Sequence, residues 1–191
     1  MKTTSVLIVG VGGQGTLFAS MVFGQLALDL GFDVKLSEVH GMAQRGGSVV
    51  THVRYGEKVA SPIVDLGGAV VLLAFERLEA LRWLPYLKKD GKVYVNTQEI
   101  LPMPVITGAA EYPQDIMERI SAFGVDAVPV DALSLATQAG SVKAVNVVMI
   151  GALARSLDIP KEAWISAISK VAKPQFVEMN LRAFELGYNL Q

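Results

Sequence analysis

The stretch Gly10-Val11-Gly12-Gly13-Gln14-Gly15 has the residue types and spacing of an anion cradle. It satisfies G-x-G-x-x-G after an apolar run at 6–9 and before a helical pattern, the context in which such a turn binds phosphate. Each glycine has its own reason. Gly10 permits a tight turn, Gly12 lets a phosphate approach the backbone, and Gly15 lets helix and strand pack closely. The helix N-terminus adds free N–H groups and a partial positive charge. The dipole contributes only ~0.3–1 kcal/mol, whereas millimolar affinity needs ~4 kcal/mol. Several charge-assisted backbone bonds of ~1.5–3 kcal/mol each must therefore act together. Gly10, Gly12, Gly13, Gln14 and Gly15 are the candidate binding residues of this turn. The plainer alternative is a loop that only makes a tight β–α connection. A nicotinamide dinucleotide would also want an acid at the end of the second strand. Glu38 is close to that place, yet the residues after it do not read as a ribose pocket.

A second constellation is His40-Gly41-Met42-Ala43-Gln44-Arg45-Gly46-Gly47. Arg45 followed by two glycines presents a guanidinium beside bare N–H groups, which suits a phosphate or carboxylate gripped by two parallel bonds. Gln44, Arg45, Gly46 and Gly47 are candidates on that ground, against the alternative of a solvated surface loop. His40 and His52, the two histidines, read as structural, and two histidines without cysteine make a zinc site improbable. Asn146 sits in the apolar run 144–151 and must find a partner if buried, either a neighbouring loop backbone or a ligand. In 180–187, Leu181 and Phe184 fall at helical spacing and read as core or partner contact. Lys170 and Lys173 read as helix-end cations. Nothing resembles a nucleophile–histidine–acid triad or a paired carboxylate site, so no catalytic residue is assigned.

The elements that must position these residues follow from hydrophobic period. Residues 6–9 form a strand buried on both faces. A helix over 17–30 closes at Gly31, and 32–37 form a second strand, which predicts a right-handed parallel crossover. Residues 48–55 alternate, as a strand with one covered face does. Residues 69–74 are another buried strand, 76–88 a helix and 92–96 a short strand. Pro102 and Pro104 make the next stretch extended, with a strand at 105–106. Then come a helix at 115–123, a strand at 127–130, and helices at 132–138, 142–157, 162–171 and 175–186. Pro160 and Pro174 sit in first turns. The expected fold is α/β and Rossmann-like, with a mainly parallel sheet, flanking helices and a helical C-terminal tail. It is read as one domain, with an α/β core over 1–131 and a tail over 132–191 packing on it.

The 191 residues carry 17 basic and 18 acidic side chains, 51% apolar types and 18% charged types. Soluble domains average ~25% charged residues, so the low charge reads as a well-filled α/β core together with a surface partly buried on a partner subunit. There is no basic field for nucleic acid. The longest apolar stretches fall short of the ~18 residues of a membrane span; a cytoplasmic location is expected, with which the absence of cysteine is compatible. With no cysteine, the chain has no thiolate nucleophile and no cysteine-held iron–sulfur cluster.

Taken in order, Gly10-Val11-Gly12-Gly13-Gln14-Gly15, then His40 through Val49, then Asn146 to Gly151, then Asn180 to Gly187 resemble the gamma-type domain of 2-oxoacid:ferredoxin oxidoreductases. The resemblance spans essentially the whole chain. The glycine loop is shared across that family, and the stretch from His40 to Gly47 is closer to its indolepyruvate branch; pyruvate relatives tend to show a Tyr-Gly version. The resemblance implies oxidative decarboxylation of an aryl 2-oxoacid, with acylation of coenzyme A and electrons leaving to ferredoxin. It implies that thiamine diphosphate and the iron–sulfur clusters belong to a large alpha subunit. This chain would then contribute binding and positioning, its glycine loop and Arg45-Gly46-Gly47 facing coenzyme A phosphates or the rim of the thiamine pocket. The helical tail would either meet that subunit or form a homodimer contact in the isolated chain. The rivals are a free-standing NAD(P)-binding dehydrogenase, the gamma subunit of a pyruvate or other 2-oxoacid enzyme, and a purely scaffolding chain.

Overall fold

The computed structural model describes residues 3–41 and 46–190. Six strands form one sheet in the order β2-β3-β1-β4-β5-β6. They are β1 (Thr4–Val11), β2 (Asp33–His40), β3 (Ser48–Gly56), β4 (Ala69–Ala74), β5 (Leu87–Asn96) and β6 (Asp126–Val130). β1, β4, β5 and β6 run parallel, while β3 runs antiparallel to both of its neighbours, β1 and β2. β2 therefore points the same way as β1 but does not pair with it. The expected parallel crossover keeps its direction, and the next strand is inserted inside it.

Alternating side chains explain why the central strands read as unbroken apolar runs. Val6 and Ile8 of β1 face one core, with Val71 and Leu73 of β4. Leu7 and Val9 face the other, with Leu72 and Ala74. The first core is covered by α1 (Thr16–Asp29), α5 (Ala132–Ala139), α6 (Val145–Ala154), α7 (Lys161–Val171) and α8 (Val177–Tyr188). The second is covered by α2 (Arg77–Trp83) and α4 (Ile116–Ala122). β3 differs from expectation: neither face is open. Val53 and Tyr55 enter the first core and Val50 the second, and His52 is buried. A strand between two partners, with a loop folded over one face, shows alternation without exposure.

Other boundaries moved for local reasons. The helix expected to reach residue 88 stops at Trp83, because Pro85 has no N–H to continue the helical hydrogen bonds and its ring crowds the carbonyl four residues before it; a 3-10 turn follows at Leu84–Tyr86. The strand expected at 105–106 is a short helix, α3 (Met103–Ile106), in which the two prolines occupy the start of a turn. Gly31 does end α1, with φ +76°. Among the described residues, no helix is long and apolar enough to cross a membrane.

Candidate functional site

The chain leaves β1 through α1 toward β2 on one side and later returns to β4 on the other. The carboxyl ends of β1 and β4 are thus a topological switch point, where open α/β sheets bind ligands. The glycine loop lies there. A cavity of about 630 Å³ opens on it, lined by Gly12 to Gly15, by Gln98 and Ile100 after β5, by Leu133, and by Lys143 and Val145. That volume suits a small-molecule site.

Much of the loop's polar capacity is used to hold its own shape. The Val11 N–H donates to Gln14 Oε1 at 2.8 Å, and Gln14 Nε2 donates to the Phe75 carbonyl at 2.7 Å. Gln14 therefore ties the loop to the end of β4. Gly10 is required because a Cβ there would meet Gln14 Oε1 at 2.8 Å and Phe75 Cβ at 3.1 Å. The Gly12 N–H donates to the Gly47 carbonyl at 2.8 Å, and the Gly46 N–H reaches the Gly12 carbonyl at 3.4 Å. Gly46 and Gly47 are thus brought onto the glycine loop, and the Gly12 amide is spent on that contact. Gln44 and Arg45 lie outside the described residues. Gly15 has φ +85°, and its face abuts Asn146 rather than a strand: a Cβ would meet Asn146 Nδ2 at 2.5 Å. That amide donates to the Gly15 carbonyl at 3.3 Å, so the loop backbone is the partner Asn146 required.

What remains for a ligand is specific. The N–H groups of Gly13, Gly15, Thr16 and Leu17 donate to no other described residue. Gly13 is exposed, with open space where a Cβ would stand. The first turn of α1 carries no acidic residue. Lys143 is a cation on the cavity wall. Sequence reading passed over it because a lone lysine in a polar turn carries no pattern. Asn96 is a second omission: fully buried, it donates through Nδ2 to the Phe75 carbonyl at 3.0 Å, beside the Gln14 bond.

A second cavity, of about 420 Å³, lies on the β2 side of the loop, between Thr16, Glu38 and His40. The Glu38 carboxylate accepts from Thr51 Oγ1 at 3.0 Å and from Thr16 Oγ1 at 3.5 Å. Glu38 thus approaches the loop but sits one strand further out than in a sheet where β2 adjoins β1, and its carboxylate is engaged by hydroxyls. This departs from a nicotinamide site.

Beneath α2 two buried carboxylates, Glu76 and Glu79, lie at the end of the sheet. Glu76 accepts from the Glu79 N–H at 3.0 Å, the Ile100 N–H at 3.3 Å and Tyr112 Oη at 2.5 Å. It fastens the crossing after β5. Burial, and then the bond to Glu76, push the Tyr112 hydroxyl well up. Burial likewise raises Glu79, while Ser48 at 2.5 Å and Arg82 at 3.4 Å favour its ionised form. Glu76 at an N-cap, three residues before Glu79, is the one cue that the sequence held for this pair. His52 keeps a neutral acceptor: its Nδ1 receives the Val64 N–H at 3.2 Å, and burial lowers its pKa.

An α/β sheet with a glycine loop at its switch point defines the class of doubly wound α/β domains. Comparison with known proteins narrows the class: the profile of the pyruvate ferredoxin/flavodoxin oxidoreductase family matches residues 5–190, and the chain belongs to that family of oxidoreductases. It is 44% identical to the indolepyruvate oxidoreductase subunit IorB of Thermococcus kodakarensis, over 98% of this chain and 95% of that one. It is 41% identical to the IorB subunit of Archaeoglobus fulgidus, over 97% and 94%. Among solved structures, the pyruvate oxidoreductase subunit PORC of Thermotoga maritima superposes with a TM-score of 0.76 at 25% identity, over 98% of this chain and 96% of that one. The 2-oxoglutarate:ferredoxin oxidoreductase of Magnetococcus marinus shares the fold, with a TM-score of 0.71 at 19% identity, over 98% of this chain but 31% of that one.

Proposed function

We propose that this chain is the small, non-redox subunit of a thiamine-diphosphate-dependent indolepyruvate:ferredoxin oxidoreductase, working in the cytoplasm beside a large alpha subunit. The reaction is oxidative decarboxylation of an aryl 2-oxoacid. The acyl group goes to coenzyme A and two electrons go to ferredoxin through the large subunit. The observation that carries this reading is the near full-length match to the Thermococcus and Archaeoglobus subunits. The absence of cysteine supports placing every iron–sulfur cluster on the larger chain. Thiamine diphosphate, held by that chain, supplies the carbon chemistry.

This chain's own residues bind and orient. The free N–H groups of Gly13, Gly15 and the first turn of α1, with Lys143, fit an anionic group of coenzyme A, and no carboxylate in that turn opposes it. Gln14, Gly46, Gly47 and Asn146 hold the loop in place for it. Ile100, Leu133 and Val145 exclude water from one side of the cavity. The whole chain acts as one gamma-type domain, its tail at 132–191 sharing a core with 1–131.

The test is reconstitution. The purified chain alone should not reduce a dye with indolepyruvate, and mixing it with the large subunit should restore coenzyme A-dependent turnover. Turnover by the chain alone, or a large subunit indifferent to its presence, overturns the proposal. In the assembled enzyme, Lys143→Ala should raise the apparent KM for coenzyme A by about tenfold, the factor expected from losing one charge-assisted bond of roughly 1.5 kcal/mol.

A further inference from the structure

The crossing from β5 to α4 forms a strap, residues 97–113, at the same end of the sheet as the glycine loop. One oxygen closes it. Glu76 Oε1 accepts from the Ile100 N–H at 3.3 Å and from Tyr112 Oη at 2.5 Å, so a single buried carboxylate holds the two ends of the strap together. Between those ends the strap is ordered by its own turns. The Ile106 N–H donates to the Pro102 carbonyl at 3.1 Å, the Thr107 N–H to the Met103 carbonyl at 2.9 Å and the Ala110 N–H to the Pro104 carbonyl at 3.0 Å. Pro102, Pro104 and Pro113 restrict the same segment in the unfolded chain. Yet this order buries almost nothing. No residue of α3 is buried, and of its side chains Val105 alone leans on the second core. Leu101 is 47% exposed, Met103 64% and Ile106 62%. Met103 and Ile106, three residues apart in one helical turn, share a face.

A short helical turn is normally stabilised by burying an apolar face against its own core. An ordered turn that instead presents large apolar side chains to water marks a surface for another molecule. Charge distinguishes the candidates for that molecule. No lysine, arginine or histidine occurs from 93 to 118. Glu99 is paired with Arg77, and Glu111 meets no cation among the described residues. Glu111 lines a cavity of about 510 Å³ between the strap and α2, with Met103 and Pro104 on the strap side. Arg82, a cation on the same wall, is already engaged by Glu79. The face is therefore apolar with a free carboxylate. A symmetric contact between two copies of this chain would turn that carboxylate toward its own kind. A different surface, carrying apolar and basic side chains, matches it: a lysine or arginine stem lies along Met103 and Pro104, and its charge meets Glu111. Position narrows the choice further. Ile100, at the root of the strap, lines both this cavity and the glycine-loop cavity, so a partner covering the strap also stands beside the glycine loop. We propose that the strap is a docking element for the large subunit, with Leu101, Met103 and Ile106 entering an apolar recess of that subunit and Glu111 meeting one of its basic side chains. This placement rests on the preceding functional reading, which supplies the large subunit.

Calorimetric titration of the full chain with the purified large subunit tests this. Met103→Asp and Ile106→Asp should each weaken binding about thirtyfold, as for residues central to an interface, while the chains melt as the parent does. Glu111→Lys should weaken binding about fivefold and reduce its dependence on salt. Leu66→Asp, equally exposed but at the amino end of β4, should leave the affinity as it is. Strap variants that melt and bind as the parent does would overturn the docking element, and parent turnover in the assembled enzyme would then leave the functional reading standing. A Leu66→Asp chain weakened as much as the strap variants would overturn the docking element too. So would a lowered melting temperature in both strap variants, since the strap would then pack on its own chain. A parent dimer that Met103→Asp splits into monomers in sedimentation would give the face to a second copy and overturn the large subunit as its occupant. Strap variants that bind weakly to a large subunit giving no turnover with the parent would sink the functional reading alone. Failure of the parent to associate with the large subunit would overturn both.

Discussion

At the scale of single residues, the glycine loop separates into parts that shape it and parts that face outward. Gly15 is fixed twice, by φ +85° and by the Asn146 amide where its Cβ would be. Gly13 is fixed once: its φ is +103°, but the space beside it is open. Left-handed backbone costs a non-glycine residue about 1–2 kcal/mol. Gly13→Ala should lose about that much stability. Gly15→Ala should lose more, because the Asn146 bond goes as well, adding about 1 kcal/mol. Urea unfolding of the two variants measures the difference, and equal losses would show that the Gly15–Asn146 contact contributes nothing.

At the scale of elements, α6 and α8 meet through glycines. A Cβ on Gly151 would overlap the Phe184 carbonyl, and one on Gly187 would overlap the Val148 carbonyl. The helices cross backbone against backbone, which is why the entire ten-residue α6 is buried. Their nearest atoms are main-chain and cannot turn aside, so Gly151→Ala and Gly187→Ala should each destabilise by about 3 kcal/mol, at the upper end of overpacking. Chemical denaturation of either variant should show a midpoint well below the parent's. An unchanged midpoint would mean that the crossing is looser than this geometry. Since α6 carries Asn146 and begins beside Lys143, such a shift would also displace the wall of the glycine-loop cavity.

At the scale of the whole molecule, stability against pH reports how the sheet is sealed. His52 accepts the Val64 N–H only when neutral, and burial lowers its pKa below the ordinary 6.5. The unfolded chain therefore takes up the proton first as pH falls. Stability from this group is complete above about pH 6.5, and it is lost as pH drops from there through the folded pKa. Glu79 works in the other sense. Its carboxyl is raised above 4.5, so it disfavours the folded state progressively as pH climbs from 4.5 through its folded pKa. His52→Gln should flatten the loss of stability between pH 6.5 and 5, read from unfolding midpoints across that range. A loss of the same steepness would exonerate His52.

Sequence alone determined the strand–glycine loop–helix opening, the α/β class and most helices, because these depend on local period and on residues such as glycine that few backbones require. It also determined that no thiolate chemistry is done by this chain, since it holds no cysteine. Only the tertiary structure decided that β3 enters between β1 and β2, because strand neighbours are chosen by pairing across the sheet rather than by order along the chain. It alone decided that the Gly12 amide goes to Gly47, that Gln14 staples the loop, and that Asn146 comes from 131 residues along the chain to bond the loop, with Lys143 on the cavity wall beside it. Such long-range pairings leave no periodicity in the sequence. They are set by which surfaces remain to be buried once the sheet has formed.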